Sequence, residues 1–190
     1  INWDKVNGLI PGIVQDFKSS QVLMLGYMNR EALESTINTN LVHFYSRTRK
    51  CLWKKGETSG NVLFLNDIQL DCDRDTLLIK ASNEGPTCHL SQYSCFGEEE
   101  FNISKLEKII ESRLDNPFEK SYTSSLFKKG IKEIAKKVTE EAGEVSISAV
   151  SNDGRVIEES ADLIFHLLVL LRNKNLSFEN IISELEKRSG

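Results

Sequence analysis

Ser94-Cys95-Phe96-Gly97-Glu98-Glu99-Glu100-Phe101-Asn102-Ile103 is the stretch at which the chain changes its period. Before it, from Val42 to Ser82, short runs rich in β-branched, aromatic and aliphatic residues alternate with turn formers. Val42–Ser46, Leu52-Trp53, Val62–Leu65, Ile68–Cys72 and Thr76–Ala81 read as strands. Further upstream, Met24–Ile37 reads as helical, with Asn29 a natural N-cap for Arg30 onward. After Gly97 and its three glutamates a 3.6-residue period takes over. Ile103–Leu114, Gly130–Ser151, Arg155–Lys174 and Ser177–Arg188 read as helices, broken by Asn116-Pro117 and Asn152-Asp153-Gly154. The expected architecture is therefore two domains. Residues 1–100 form a strand-dominated α+β domain that binds metal, and residues 101–190 form an all-α helical bundle.

The charge divides at the same place. Residues 1–96 hold ten Lys+Arg and ten Asp+Glu, whereas the remainder holds fourteen and eighteen, so the whole net charge of −4 lies in the second half. An acidic balance argues against a nucleic-acid binder, which carries a basic surplus. It favours a cation or a cation-bridged phosphate. The longest apolar run, Leu163–Leu171, is nine residues and contains His166, far short of the ~20 needed to span a bilayer. Ile1–Gln15 lacks the apolar segment of a secretory leader. A cytoplasmic protein without membrane or nucleic-acid partners is expected. Its four cysteines then read as free thiols or metal ligands rather than disulfides.

Asp71-Cys72-Asp73-Arg74-Asp75 is the densest chemical motif. In a strand, alternation would put Asp71, Asp73 and Asp75 on one face and Cys72 on the other. Three aligned carboxylates repel unless cations neutralise them, and oxygen donors at this spacing suit magnesium (Mg²⁺). The thiol of Cys72, with Cys88 and Cys95, suits the softer zinc (Zn²⁺). Three protein ligands would leave a fourth position for water, the pattern of catalytic zinc. Taken singly, the aspartates also fit a solvated turn and the cysteines fit small core residues. His89 could be a ligand, a base or a satisfied polar residue. Cys51 lies outside the cluster and reads as a core or surface thiol. Lys54-Lys55-Gly56-Glu57-Thr58-Ser59-Gly60, with Arg47 and Arg49 before it, offers inward-turning N–H groups, hydroxyls and cations for phosphate. A hairpin turn with a charged rim explains that loop about equally well.

In the second half, Ile131, Ile134, Ala135, Val138, Ala142, Val145 and Ala149 form one apolar stripe, with Glu140, Glu141 and Glu144 beside it at spacings that let them converge. Lys136 and Lys137 each stand four residues before a glutamate, so a solvated ion-paired face is the plain alternative. The next helix is apolar round most of its circumference from Ile157 to Leu171 and is expected to be largely buried. Its polar strip carries Glu158, Glu159, Asp162 and His166. Carboxylates on such a helix are costly unless paired or bound to metal. Two facing helices of this kind build an acidic cage, as bundle metal sites do.

Trp53-Lys54-Lys55-Gly56-Glu57-Thr58-Ser59-Gly60, Asp71-Cys72-Asp73-Arg74-Asp75, Gly85-Pro86-Thr87-Cys88-His89 and Ser94-Cys95-Phe96 together closely resemble the phosphoribosyl-AMP cyclohydrolases of histidine biosynthesis, over about residues 10–96. The resemblance implies zinc on Cys72, Cys88 and Cys95, and magnesium on Asp71, Asp73 and Asp75. It also implies a homodimer whose zinc ligands come from both chains. Leu90-Ser91 departs from the usual Thr-Gly. Glu140-Glu141-x-x-Glu144 with Glu159-x-x-Asp162, Ser121–Phe127, Lys136-Lys137-Val138 and Ala161-Asp162-Leu163 resemble the phosphoribosyl-ATP pyrophosphohydrolases over about residues 103–188. Thr139 stands where Gly is common.

Together these resemblances imply the fused pair of steps that converts phosphoribosyl-ATP to phosphoribosyl-AMP and then opens its adenine ring. Magnesium would sit on Glu141, Glu144, Glu159 and Asp162, with Glu140 as a further ligand or water-orienting base and His89 as the proton-transfer group of the second step. Arg47, Arg49, Trp53, Lys55, Gly56, Glu57, Thr58, Ser59, Lys136 and Lys137 are the expected substrate-binding residues. A general nucleotide pyrophosphatase joined to a zinc deaminase-like domain, and a metal-stabilised scaffold without activity, are the two other readings compatible with the residues alone.

Overall fold

The computed structural model describes residues 1–190, whose contacts divide into two compact units, Ile1–Glu100 and Phe101–Gly190. The first unit contains β1 (Ile10–Asp16), β2 (Val22–Met28), α1 (Arg30–Thr39), β3 (His43–Ser46), β4 (Cys51–Lys54), β5 (Leu63–Leu70) and β6 (Leu77–Asn83). Four strands form one sheet in the order β2-β1-β6-β5. Only the β1–β6 pair is parallel, and β3 and β4 make a separate antiparallel pair. Ile10, Val14, Leu23, Met28, Phe44, Leu63 and Ile79 are fully or almost fully buried and form the core.

Two local readings of the sequence are corrected here. Met24–Ile37 is not one helix. Val22–Met28 is a strand, and α1 begins at Arg30, where Asn29 Oδ1 accepts the Ala32 N–H at 2.9 Å. The continuous apolar run of β2 hid its period of two, but Gly26 marks it. A Cβ there would lie 2.3 Å from the Phe44 ring, so the strand must pass bare beneath that side chain. The unrecognised strand β1 carries Pro11, which falls just before the β6 pairing that starts at Gly12, so its missing N–H interrupts no bond on that side.

The second unit is helical: α2 (Ile103–Asp115), α3 (Tyr122–Lys129), α4 (Ile131–Ser151), α5 (Val156–Asn173) and α6 (Phe178–Arg188). Asn102 caps α2 through the Lys105 N–H, and Ser121 caps α3 through the Ser124 N–H. Ile110, Leu126, Ile134, Leu168 and Val169 form its core. The α4–α5 hairpin turns through left-handed Asn152 and Gly154, and Asp153 ties it by accepting from Ser148 Oγ and the Arg155 N–H.

Here too an expectation changes. The buried line of α4 runs through Ile134, Glu141 and Ser148, leaving Ala135, Ala142 and Ala149 exposed, so Glu141 faces inward rather than flanking the stripe. The helix α5 is not largely buried either. Ile157 is 83% exposed, and Ile147, Val150 and Ile164 are exposed with it. One chain supplies too few helices to cover both sides of this hairpin.

Candidate active sites

Asp71–Asp75 is a turn between β5 and β6, not the strand that alternation predicted. Asp71 Oδ1 accepts from the Asp75 and Thr76 N–H groups at 2.9 and 3.0 Å, and Arg74 takes a left-handed φ of 65°. This closure gathers the three carboxylates until ligand oxygens of Asp71, Asp73 and Asp75 lie within 4.8 Å of one another. A cation already stands against them. Lys5 Nζ lies 2.5 Å from Asp73 Oδ2 and 2.7 Å from Asp75 Oδ2, and the main chain is held by Asn2 N–H donating to Arg74 O at 3.0 Å. Lys5 holds the Asp73 carboxyl below its ordinary value, and the aspartates in turn push the Lys5 ammonium up. No local signal in the sequence connects Lys5 with a motif sixty-eight residues away.

All four cysteines are free. Cys88 is buried and Cys95 exposed at a loop whose ends are pinned by main-chain bonds, from Cys88 N–H to Gln92 O and from Cys95 N–H to Leu23 O. Partial desolvation and the adjacent Cys88 thiol push the Cys95 thiol up, while the Lys55 ammonium opposes the shift. Burial lowers Lys55 in turn, against the attraction of both thiols. Lys55 is thus a buried cation beside the two thiols that favours the Cys95 thiolate only against the larger effect of desolvation. Cys72 stands exposed on the aspartate turn and does not join Cys88 and Cys95 in a three-ligand set within one chain. His89 is exposed, with Nδ1 4.0 Å from Cys88 Sγ.

The Lys54–Asn61 loop adjoins the thiol loop through Asn61. A Cβ on Gly85 would meet Asn61 Oδ1 at 2.6 Å, and one on Gly56 would meet Asn61 backbone at 2.4 Å. Glu57, Thr58 and Ser59 are exposed at the tip, and Lys55 and Gly56 are buried at the base. Arg47 and Arg49 are exposed in the β3–β4 turn, where the Arg47 guanidinium stacks 3.8 Å over Tyr27. Trp53 packs on Phe44 with ring centroids 5.3 Å apart, so it is at least partly a core residue.

In the helical unit, ligand oxygens of Glu141, Glu144 and Glu159 lie within 4.8 Å of one another. Glu141 and Glu159 are buried. Burial and the neighbouring Glu144 push Glu159 above the ordinary glutamate range, and Arg155 Nη2 opposes this from 2.5 Å. The i,i+4 spacing of Arg155 and Glu159 was legible in the sequence. Glu140 stays outside the cluster, exposed and held below its ordinary value by Lys137 Nζ at 2.9 Å. Lys137, not Lys136, makes the contacts, reaching Glu141 Oε1 at 3.7 Å as well. Asp162 is exposed and also outside the cluster, its carbonyl oxygen 2.9 Å from His166 Nδ1.

A carboxylate trio and a separate thiol pair in one unit, and a second trio on a helical hairpin in the other, are the polar centres of a hydrolase built on two folds. Residues 24–97 match the family model of phosphoribosyl-AMP cyclohydrolase, and residues 103–189 match that of phosphoribosyl-ATP pyrophosphohydrolase. The chain is 50% identical to the histidine biosynthesis bifunctional protein HisIE of Photobacterium profundum, over 99% of this chain and 96% of that protein. It is 51% identical to the HisIE of Buchnera aphidicola subsp. Acyrthosiphon pisum (99% and 89% covered) and 49% identical to that of Campylobacter jejuni (99% and 94%). The chain belongs to the HisIE family of bifunctional histidine-biosynthesis enzymes, with phosphoribosyl-ATP pyrophosphohydrolase and phosphoribosyl-AMP cyclohydrolase activities. Membership decides between the readings that the residues alone left open. No helix is long and apolar enough to cross a membrane.

Proposed function

We propose that residues 101–190 hydrolyse phosphoribosyl-ATP to phosphoribosyl-AMP and pyrophosphate, and that residues 1–100 then add water to C6 of the adenine and break the N1–C6 bond. The observation that supports this reading is that each carboxylate trio already has a side-chain cation against it, Lys5 on Asp73 and Asp75 and Arg155 on Glu159. Those are the surroundings a divalent ion requires. Magnesium is assigned to Asp71, Asp73 and Asp75, and to Glu141, Glu144 and Glu159, with Asp162 able to join from the next turn of α5. Zinc is assigned to Cys88 and Cys95 of one chain with Cys72 from a second copy, which makes the working enzyme a homodimer in the cytoplasm. When bound, zinc supplies a Lewis acid that brings the pKa of water to ~7, and magnesium supplies positive charge to phosphate oxygens.

The protein's own groups do the rest. Lys55 places positive charge beside the thiol pair, the Gly56–Ser59 loop and Arg47 receive phosphate, and His89 moves the proton to the departing N1. Arg49 lies close enough in sequence to assist. In the helical domain Lys137 steadies Glu140 and Glu141, Glu140 orients the attacking water, and Lys136 offers a further cation to the triphosphate. The exposed apolar residues Ile147, Val150, Ile157 and Ile164 suit burial against the second copy.

Phosphoribosyl-ATP supplied with both metals tests this. Pyrophosphate release and the absorbance change of ring opening should appear in that order. Glu141→Gln should abolish the first while leaving the second intact when phosphoribosyl-AMP is added directly, and Cys88→Ala should do the reverse. Ring opening at the wild-type rate in Cys88→Ala would refute the zinc assignment.

A further inference from the structure

Beside the helical carboxylate trio lies a buried imidazole that the proposed chemistry does not use. His166 is 4% exposed, at the middle of α5. Its Nδ1 lies 2.9 Å from the carbonyl oxygen of Asp162, which can only accept, so the proton is on Nδ1. In the neutral ring Nε2 is then an acceptor, and it lies 2.9 Å from the Tyr122 hydroxyl, which must donate. The tautomer is set by two partners from different helices. Phe165 holds the arrangement mechanically, roughly parallel to Tyr122 at 6.3 Å and edge-on to His166 at 5.2 Å.

The same Nδ1 faces Glu141 Oε1 at 3.6 Å, and Lys137 Nζ, one turn earlier on α4, approaches that oxygen at 3.7 Å; both are electrostatic contacts longer than a hydrogen bond. Both outer contacts fall on one carboxylate oxygen. Two N–H-bearing groups on one side of the carboxylate bias its orientation electrostatically beside Glu144 and Glu159. Ligand carboxylates and their hydrogen-bonded outer partners behave as one unit in metal sites. A purely structural buried residue here could be apolar, with no polar atoms to satisfy.

We infer that Tyr122 and His166 are positioning residues for pyrophosphate release, holding the Glu141 carboxylate toward Glu144 and Glu159. The inference rests on the proposed reading of Glu141 as a metal ligand. Loss of outer partners of this kind costs about 10–100-fold in metal affinity or activity.

The test is Mn²⁺ binding to full-length, substrate-free protein followed by its electron paramagnetic resonance signal. Asp73→Asn and Asp75→Asn are present in the background so that the signal reports the helical domain. Tyr122→Phe deletes one O–H and keeps the ring stack, and is expected to weaken Mn²⁺ binding about tenfold. His166→Asn keeps a donor near the Nδ1 position and should match Tyr122→Phe, whereas His166→Leu loses both partners and should approach a hundredfold. In the otherwise wild-type chain, the Tyr122→Phe loss of pyrophosphate release should be recovered at high Mg²⁺, with ring opening of added phosphoribosyl-AMP unchanged. If Glu141→Gln weakens Mn²⁺ binding while Tyr122→Phe and His166→Asn bind as the parent does, the positioning role is overturned and the metal assignment stands. If Glu141→Gln also binds as the parent does, the assignment falls and the inference with it.

Discussion

Gly56 and Gly60 allow the proposed substrate loop to be tested with an internal control. Both residues have left-handed backbones, at φ +82° and +79°. Alanine at either position therefore carries the left-handed penalty of about 1–2 kcal/mol. Only at Gly56 does the new Cβ also meet main chain, at 2.4 Å from the carbonyl carbon and oxygen of Asn61 and 2.5 Å from the Val62 nitrogen; at Gly60 nothing lies within 4 Å. Main chain cannot rotate away, so overpacking should add about 1–3 kcal/mol at Gly56. The relief available is to open the turn closed by Gly60 N–H donating to Gly56 O at 2.8 Å, which moves Asn61 and the Gly85 turn leading to Cys88. Since about 1.4 kcal/mol is tenfold in rate, Gly56→Ala should lower ring opening by about 5- to 150-fold relative to Gly60→Ala. Pyrophosphate release by the same molecules should stay within about twofold, because the other domain buries its own core. The assay is the two-signal measurement on both variants, with the melting of the N-terminal domain followed alongside. Equal ring-opening rates and equal melting for Gly56→Ala and Gly60→Ala would refute the contact argument.

Three further outcomes follow from other contacts. Cys72→Ser and Cys88→Ser should each abolish ring opening, and mixing the two after subunit exchange should restore roughly a quarter of it, since half the dimers carry one intact site; no recovery in exchanged heterodimers would exclude a site shared between chains. Lys5→Met should strengthen Mg²⁺ binding at the aspartate trio several-fold in calorimetry, because the competing ammonium contacts at 2.5 and 2.7 Å are gone; unchanged or weaker binding would show that Lys5 is no competitor. Asp153 is held below its ordinary value chiefly by the Ser148 hydroxyl and then by the Arg155 N–H. A lowered folded pKa contributes stability above the unfolded value of about 3.9 that is lost as pH falls through the folded one. Asp153→Asn should therefore lower the melting temperature of the helical domain at pH 7, with the difference shrinking below about pH 4; a difference constant with pH would refute the linkage.

Four of the five helices after Gly97 were readable because each is long enough to show a period of its own. The exception, α3, is only eight residues long, too short for a period to declare itself. The first strands were not readable, since β1 contains Pro11 and Gly12 and β2 is apolar throughout. Their identity is set by partners far along the chain, β6 and Phe44. The proposed ligands were legible in the sequence and their companions were not. Glu141, Glu144 and Glu159 follow from helical spacing, whereas the inward turn of Glu141 depends on how α4 lies against α5. Asp71, Asp73 and Asp75 do converge, though by a closed turn rather than by strand alternation, because Asp71 spends one oxygen on two N–H groups of its own loop.

The two domains share a way of managing concentrated negative charge. Three carboxylates within 4.8 Å cannot all stay ionised without a counter-charge, so a polypeptide that builds such a trio must supply one or protonate a member. The helical domain supplies Arg155, which reaches Glu159 from one turn earlier, while burial and Glu144 still push Glu159 above its ordinary range. The strand domain brings Lys5 from its N-terminal segment, which Ile1, Trp3 and Val6 anchor on the core. Neither cation is deeply held, for the Lys5 and Arg155 side chains are 41% and 62% exposed. A cation that remains in water after displacement loses little solvation on leaving, whereas a buried one would have to be dehydrated again on return. On the proposed metal assignment, exposed counter-ions therefore keep the carboxylates gathered in the free protein while yielding readily to a divalent ion, whose double charge gains more from three ligands than a single ammonium or guanidinium does.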